Sequence, residues 1–169
     1  MKKYISKFKT TELSPQTVGS KHSIFSGIGG TIAIGVIAYL TKEMNMPLIM
    51  APFGATCVLA FGVPDSPLAQ PRNIIGGHLL ATTIGLLCLT FLGTAWYSLA
   101  IGVGAAIGLM LLTKTTHPPA GADPLVIILA GANWSFLINP VLTGSIIITI
   151  IALLFNNMSK KRKYPKYWW

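Results

Sequence analysis

Apolar positions in this chain fall in long blocks, with neither the alternation of strands nor the one-sided stripe of a surface helix. Residues 22–41, 74–95, 97–113 and 140–155 each carry at most an isolated ionisable residue near an end. Each block approaches the roughly 17–25 residues that carry a helix across a bilayer. The pattern predicts four long membrane helices. Between them lie two apolar stretches broken by proline and glycine, at about 47–63 and 114–133. In the first, "PLIMAPFGATCVLAFGV", sixteen of seventeen residues are apolar or small. An aqueous loop has no need of such residues, so both stretches are expected at membrane depth.

Sliding the sequence against itself by 67 positions aligns these features without a gap. Ala33-Ile34-Gly35-Val36 falls on Ala100-Ile101-Gly102-Val103, and Pro52, Gly54 and Ala55 fall on Pro119, Gly121 and Ala122. Further on, Gly77 meets Gly144 and Thr82 meets Thr149. The expected fold is an all-α integral membrane protein of two inverted repeats, about 22–93 and 96–157. Each repeat reads as a long helix, a Pro/Gly-interrupted half-helix segment and a second long helix. Together they make one transmembrane domain, 22–157, between an N-terminal segment, 1–21, and a basic aromatic tail, 158–169. Paired interrupted segments in corresponding halves are the sequence mark of a transport site.

Composition agrees with a membrane setting. Of 169 residues, 52% are hydrophobic and 10% charged, where soluble domains run near a quarter charged. The formal charge of +9 would otherwise invite a nucleic-acid partner. Its placement excludes that reading: Lys2, Lys3, Lys7, Lys9 and Lys21 precede the first block, and Lys160, Lys161, Arg162, Lys163 and Lys166 follow the last. Basic flanks of this kind set topology, placing both termini in the cytoplasm and the chain in the plasma membrane. Six crossings leave only Lys42 outside, whereas four spans with two re-entrant loops would also expose Arg72 and Lys114. Tyr164, Tyr167, Trp168 and Trp169 suit a tail at headgroup level. The polar N-terminal residues and a full-length first block give no sign of a cleaved signal peptide.

The chemistry available is sparse. Cys57 and Cys88 sit in apolar stretches and read as buried free thiols. Three histidines and four acids, with no HExxH and no phosphate-cradling loop, point away from an enzyme and from any metal or cofactor. Small residues at four-residue spacing, Gly27/Thr31/Gly35 and Gly104/Gly108, favour close helix packing within a protomer or in a homo-oligomer.

Against this background the stretch "TTHPPAGADPL", residues 115–125, stands out. Proline fixes its own φ and pushes the preceding residue out of helical geometry, so Pro118-Pro119 should hold His117 extended. Asp123-Pro124 reads as an N-cap followed by proline at the first helical position, starting a half-helix at 125–130. In the first half Thr56 stands at the matching place, before 57–61. Two half-helix N-termini meeting near the midplane would favour an anion, and His117, titrating near neutral pH, would add a switchable charge. The expected pathway comprises His117, Pro118, Pro119, Gly121, Ala122 and Asp123 with Pro52, Gly54, Ala55 and Thr56. Arg72, Asn73, His78 and Lys114 are secondary, with His117 or Lys114 as partners for Asp123. Pro64-Asp65-Ser66-Pro67 reads as a turn.

Thr116-His117-Pro118-Pro119-Ala120-Gly121-Ala122-Asp123-Pro124 resembles the signature of the HPP family of integral membrane proteins. Pro52-Phe53-Gly54-Ala55-Thr56 and Gln70-Pro71-Arg72-Asn73 with Gly76-Gly77-His78 resemble its first-half pattern. The resemblance covers about residues 22–155, and the tail adds nothing to it. It implies transport, with nitrite, handled by members in cyanobacteria and plastids, as the leading substrate. The resulting expectation is a transporter or channel for a small monovalent anion. Alternatives are a proton- or cation-linked transporter using Asp123 and a non-transporting structural or sensory subunit.

The six-crossing topology is checked by cysteine labelling in a background lacking Cys57 and Cys88. Probes at 42 and within 133–139 should react with an impermeant reagent from outside, and probes at 72 and 114 should not. Outside labelling at either of the latter overturns it.

Overall fold

The computed structural model describes residues 2–8, 10–14 and 18–168. Lys9 and Trp169, counted above among the flanking residues, and the side chains of Lys2 and Lys3 lie outside the described residues. A one-turn helix α1 (Lys2–Ile5) is followed by α2 (Ser20–Glu43), α3 (Ala51–Cys57), α4 (Pro71–Leu92), α5 (Trp96–Leu112), α6 (Asp123–Ala130) and α7 (Thr143–Asn157). A π-helical turn, Val58–Gly62, extends α3, and a 3-10 turn, Pro118–Ala122, leads into α6. No strand occurs among the described residues.

Three helical stretches are long and apolar enough to cross a bilayer: Ser20–Glu43, Pro71–Leu92 and Trp134–Asn157, the last broken at Asn139, which is extended at φ −122° and ψ 118°. At 1.5 Å per residue, the 24 residues of α2 reach about 36 Å. The 17 residues of α5 reach only about 26 Å at the same rise, short of the ~30 Å hydrocarbon core. Punctuation follows the sequence. Pro71 opens α4, and Gly93, with φ 69°, closes it. Gly131 closes α6 in the left-handed conformation, its amide reaching back to Ile127 and Ile128.

With no water at membrane depth, hydroxyls must find partners inside the protein. Most bond the carbonyl one turn back: Ser26 to His22 at 2.8 Å, Thr41 to Ile37 at 2.8 Å, Thr90 to Leu86 at 2.7 Å and Thr149 to Ser145 at 2.8 Å. Threonine is thereby an apolar residue in effect, and the helices tolerate it.

Two cores form. Around Phe53, Phe61, Ile148 and Phe155, helices α2, α3 and α7 pack with the π-helical turn. Around Ala81, Ala106, Met110 and Ile128, helices α4, α5 and α6 pack together. The first long helix of each half therefore pairs with the last helix of the other: α2 with α7, and α5 with α4. Glycines permit the close approaches. A Cβ on Gly85 would lie 2.8 Å from Pro124 Cα, and one on Gly144 would overlap the Phe53 ring.

The small-residue stripes do not pack within the protomer. Cβ atoms at Gly27, Gly35, Gly104 and Gly108 would meet nothing within 4 Å. Those faces look outward, beside exposed Ile28, Ile32, Ile101 and Leu112. The packing glycines are others, on the inner faces of the same helices and on α4 and α7.

One tail residue, Tyr164, departs from the reading of a headgroup-level anchor. Tyr164 is buried, its Oη donating to Ala69 O at 2.7 Å, and burial pushes the phenol pKa up. Arg162 donates to Phe61 O at 2.9 Å, Asn156 Oδ1 at 2.7 Å and Ser26 Oγ at 2.9 Å, and lies 4.7 Å over the Phe25 ring. This basic residue is a structural bolt rather than a free topology charge. Burial pulls its pKa down while Asp65 pulls it up. Only Lys166, paired with Asp65 at 2.9 Å, and its exposed neighbours keep the expected surface role.

Gly144→Ala should destabilise the protein by about 1–3 kcal/mol through overpacking. Thermal unfolding in detergent should show partial recovery when Phe53→Leu is added; additive losses would disprove the contact.

Candidate functional site

Four fully buried polar side chains join in one hydrogen-bonded chain where the interrupted segments meet. Thr56 comes from α3, His78 from α4, His117 from the residue before the 3-10 turn, and Asp123 from the first residue of α6. His78 Nδ1 lies 2.7 Å from Asp123 Oδ2. Thr56 Oγ1 lies 2.8 Å from His78 Nε2 and 3.0 Å from His117 Nε2. His117 Nδ1 lies 2.8 Å from Leu68 O. Thr82 Oγ1 donates to Asp123 Oδ2 at 3.4 Å, and Thr56 Oγ1 also lies 3.2 Å from Pro52 O. The His78 ring is wedged edge-on between Phe53, centroids 5.3 Å apart, and His117, 5.0 Å apart.

Local sequence explains each placement. His117 is extended, φ −137° and ψ 99°, as the following prolines require, and its carbonyl accepts the Ala120 amide at 3.0 Å. The segment leading to it lies close on α4 because Gly77 has no side chain: a Cβ there would be 2.7 Å from His117 Cβ and 2.9 Å from Thr115 O. Arg72 Nη2 donates to Thr113 O and Asn73 Nδ2 to Thr116 O, both at 2.9 Å. The "RNIIGGH" start of α4 is thus a clamp for residues 113–117, with His78 as its innermost tooth.

Several expectations need correction. Neither Thr56 nor Asp123 is a helix cap. The first short helix begins at Ala51 with Pro52 in its opening turn, so Thr56 lies in its last turn and turns its hydroxyl inward. Asp123 is itself the first residue of α6; Ala122 holds the cap position, and the carboxylate goes to His78 instead of to backbone amides. The 3-10 turn brought in by Pro118-Pro119 displaces the helix start upstream, which the cap rule did not take into account. Lys114 is exposed, in the left-handed region at φ 57°, and does not partner Asp123. Nor does His117 partner Asp123 directly, since His78 stands between. The His117 ring points at Thr56 and Leu68 rather than into open space between helix starts.

Those starts do share a cleft. Ala51, Pro52, Ala55, Val58, Leu59, Pro118, Pro119, Ala122 and Val126 line about 570 Å³, with no charged side chain on its walls. Gly54 lines a neighbouring hollow with Gly30 and Cys57. The predicted pathway residues therefore divide into an apolar wall and a polar chain behind it. Gly121 belongs to neither. Sequence reasoning missed Thr82 as a member, although it lies one turn beyond His78 on the same face of α4. It had no means of finding the Leu68 carbonyl.

The family model described as "HPP, transmembrane region" matches residues 15–165. The chain belongs to the HPP transmembrane family. The match runs past the last helix to residue 165, so it includes Arg162 and Tyr164 and stops short of the terminal tryptophans. A transmembrane protein of Dictyostelium discoideum is 36% identical over 178 positions, covering 98% of this chain and 57% of its own length. A second transmembrane protein of that organism is 36% identical over 149 positions, covering 83% and 52%. The chain thus spans about half the length of the curated relatives it matches. No solved structure matches it.

The size of a mutational loss separates a cap from a paired charge. Loss of a cap costs about 0.5–2 kcal/mol, whereas stripping one partner from a buried ion pair costs about 3–5 kcal/mol. Asp123→Ala should fall in the second range by chemical or thermal unfolding in micelles. With His78→Ala the double mutant should lose much less than the sum; additivity would show that the two do not act as a pair.

Proposed function

We propose that this HPP-family protein transports a small monovalent anion across the membrane, with nitrite as the leading substrate. The pathway follows the cleft between Ala51–Gly62 and Pro118–Ala130. The half-helix starts form the substrate site, with His117 one peptide behind the cleft wall at Pro118, its ring turned to Thr56 and Leu68 and its charge acting through that wall. One observation carries this reading: Thr56, from one interrupted segment, bonds both histidines, one of them from the other interrupted segment. Buried ionisable groups at membrane depth are expensive and mark ion or proton pathways. Support for two inverted repeats with six crossings comes from the exchange of partners, α2 with α7 and α5 with α4. On that arrangement both termini lie on one side, which the basic flanks make the cytoplasmic side of the plasma membrane proposed for the chain.

A second reading, proton- or cation-linked transport using Asp123, is favoured by a specific atom. Asp123 Oδ1 is buried with no hydrogen-bond partner among the described residues. A proton or a cation is what such an oxygen would accept.

Purified protein in sealed vesicles should take up nitrite and nitrate faster than a monovalent cation. Nitrous acid crosses bilayers unaided, so nitrate is the cleaner probe. Protonation of His117 would favour the anion, and by linkage the anion favours protonation. Nitrate uptake should therefore rise as pH falls, and His117→Ala should flatten the profile. Unchanged nitrate uptake by His117→Ala across pH 5–8 would remove His117 from the site. No flux of any anion would leave a structural or sensory subunit, and a cation preference would favour the Asp123 reading.

A further inference from the structure

We infer that Asp123, His78, Thr56 and His117 form a proton relay, carrying one shared proton and passing positive charge between the histidines through the Thr56 hydroxyl. Donor and acceptor accounting leads to this. Leu68 O can only accept, so His117 Nδ1 carries a hydrogen. The Thr56 hydroxyl has one hydrogen to give and three acceptors in reach: His78 Nε2 at 2.8 Å, His117 Nε2 at 3.0 Å and, farther off, Pro52 O at 3.2 Å, a helix carbonyl that does not depend on it. Were both histidines neutral with hydrogens on Nδ1 and Asp123 ionised, both Nε2 lone pairs would face Thr56. One would then be a buried acceptor without a donor, which is costly. One more proton satisfies every link. The four residues then have no net charge, which a buried site strongly favours over a surplus.

Two arrangements meet that condition. In the first, His78 Nε2–H donates to Thr56 Oγ1, and Thr56 donates to His117 Nε2. The positive charge then stays beside Asp123, with the proton at the 2.7 Å contact held by either His78 Nδ1 or the carboxylate. In the second, the Nε2–H bond of His78 breaks as Thr56 Oγ1 takes its proton. The original Thr56 O–H bond breaks as His117 Nε2 takes that one. His117 is now the cation, donating to Thr56 and to Leu68 O, while His78 is neutral and Asp123 ionised. Two bonds form, two break, and no co-reactant is needed. The pairing with Asp123 makes the first arrangement the resting one.

Position along α4 gives the relay a direction. Asp123 is met at Thr82 and His78, and His117 is met at Gly77 and by Leu68 in the half-buried turn before the helix. Among the described residues no other charge intrudes. Arg72 is engaged by Thr113 O, Lys114 is exposed, Asp65 is paired with Lys166, and neither α5 nor α7 carries a charged residue. Cys57, the other titratable residue of α3, makes none of the relay's hydrogen bonds. The relay goes beyond the transport reading and depends on it only for the identity of the coupled ion.

The test combines nitrogen-15 NMR of the histidines in lipid nanodiscs with a pH dye inside vesicles under a nitrate gradient. Wild type at neutral pH should show His78 protonated at Nε2 and His117 protonated at Nδ1 with Nε2 accepting. Thr56→Val keeps the shape and removes the hydroxyl. It should uncouple the two signals and slow nitrate-driven proton movement at least tenfold, while Thr56→Ser should keep both within about twofold. Both histidines found as Nδ1–H tautomers with bare Nε2 would overturn the relay. So would unslowed proton movement in Thr56→Val. The NMR pattern without nitrate flux in wild type would support the relay and reject anion transport; nitrate flux with a bare His78 Nε2 would do the reverse.

Discussion

A single threonine hydroxyl, held 2.8 and 3.0 Å from two histidine nitrogens, joins the two interrupted segments, and the surrounding helices are arranged to keep it there. In lipid, most hydroxyls are satisfied by the carbonyl one turn back, and seven threonines and serines of the long helices follow that rule. Thr56 has such a carbonyl within reach, Pro52 O at 3.2 Å, yet both histidines are nearer. That preference for side-chain partners ties α3 to α4 and to the segment before α6. It requires those elements to sit close, and the packing meets that requirement.

Close approach is achieved by removing side chains. On α4, Gly77 admits the His117 side chain and the Thr115 carbonyl, and Gly85 admits Pro124; on α7, Gly144 admits the Phe53 ring. Gly77 and Gly144 are the pair that the 67-residue register aligns. Each lies on the last helix of one half and receives the interrupted segment of the other half. Phe53, seated by Gly144, in turn presses on the His78 ring. A glycine on α7 thus helps fix the orientation of a histidine on α4 without touching it.

How much of this the chain disclosed beforehand depends on the kind of interaction. The long helices and the two broken segments were legible because hydrophobic blocks and prolines act locally. The extended backbone at His117 was legible for the same reason. The caps were misread because proline-led 3-10 and α-helical turns move a helix start upstream, and a short polar residue one turn later looks the same in sequence as a cap. His78 was visible as polar in an apolar run, but its partner was not, since 45 positions separate it from Asp123. Arg162 was read as one of a basic cluster; only the fold reveals that it alone turns inward to Phe61, Asn156 and Ser26.

The two cores divide the relay unequally, and the division says where it can break. His78, His117 and Asp123 belong to helices and turns packed about α4, α5 and α6, whereas Thr56 rides on α3 in the core with α2 and α7. A shift of one core against the other would stretch the two Thr56 bonds first and leave the 2.7 Å His78–Asp123 pair whole. Breaking them strands two ring nitrogens in an apolar setting, so the shift is opposed unless something else supplies a donor or takes the place of Thr56. Opening of the adjacent cleft, whose walls belong half to α3 and half to the Pro118–Ala130 segment, involves that same separation. The contact that holds the segments together is therefore also the one through which charge moves, and one displacement governs both.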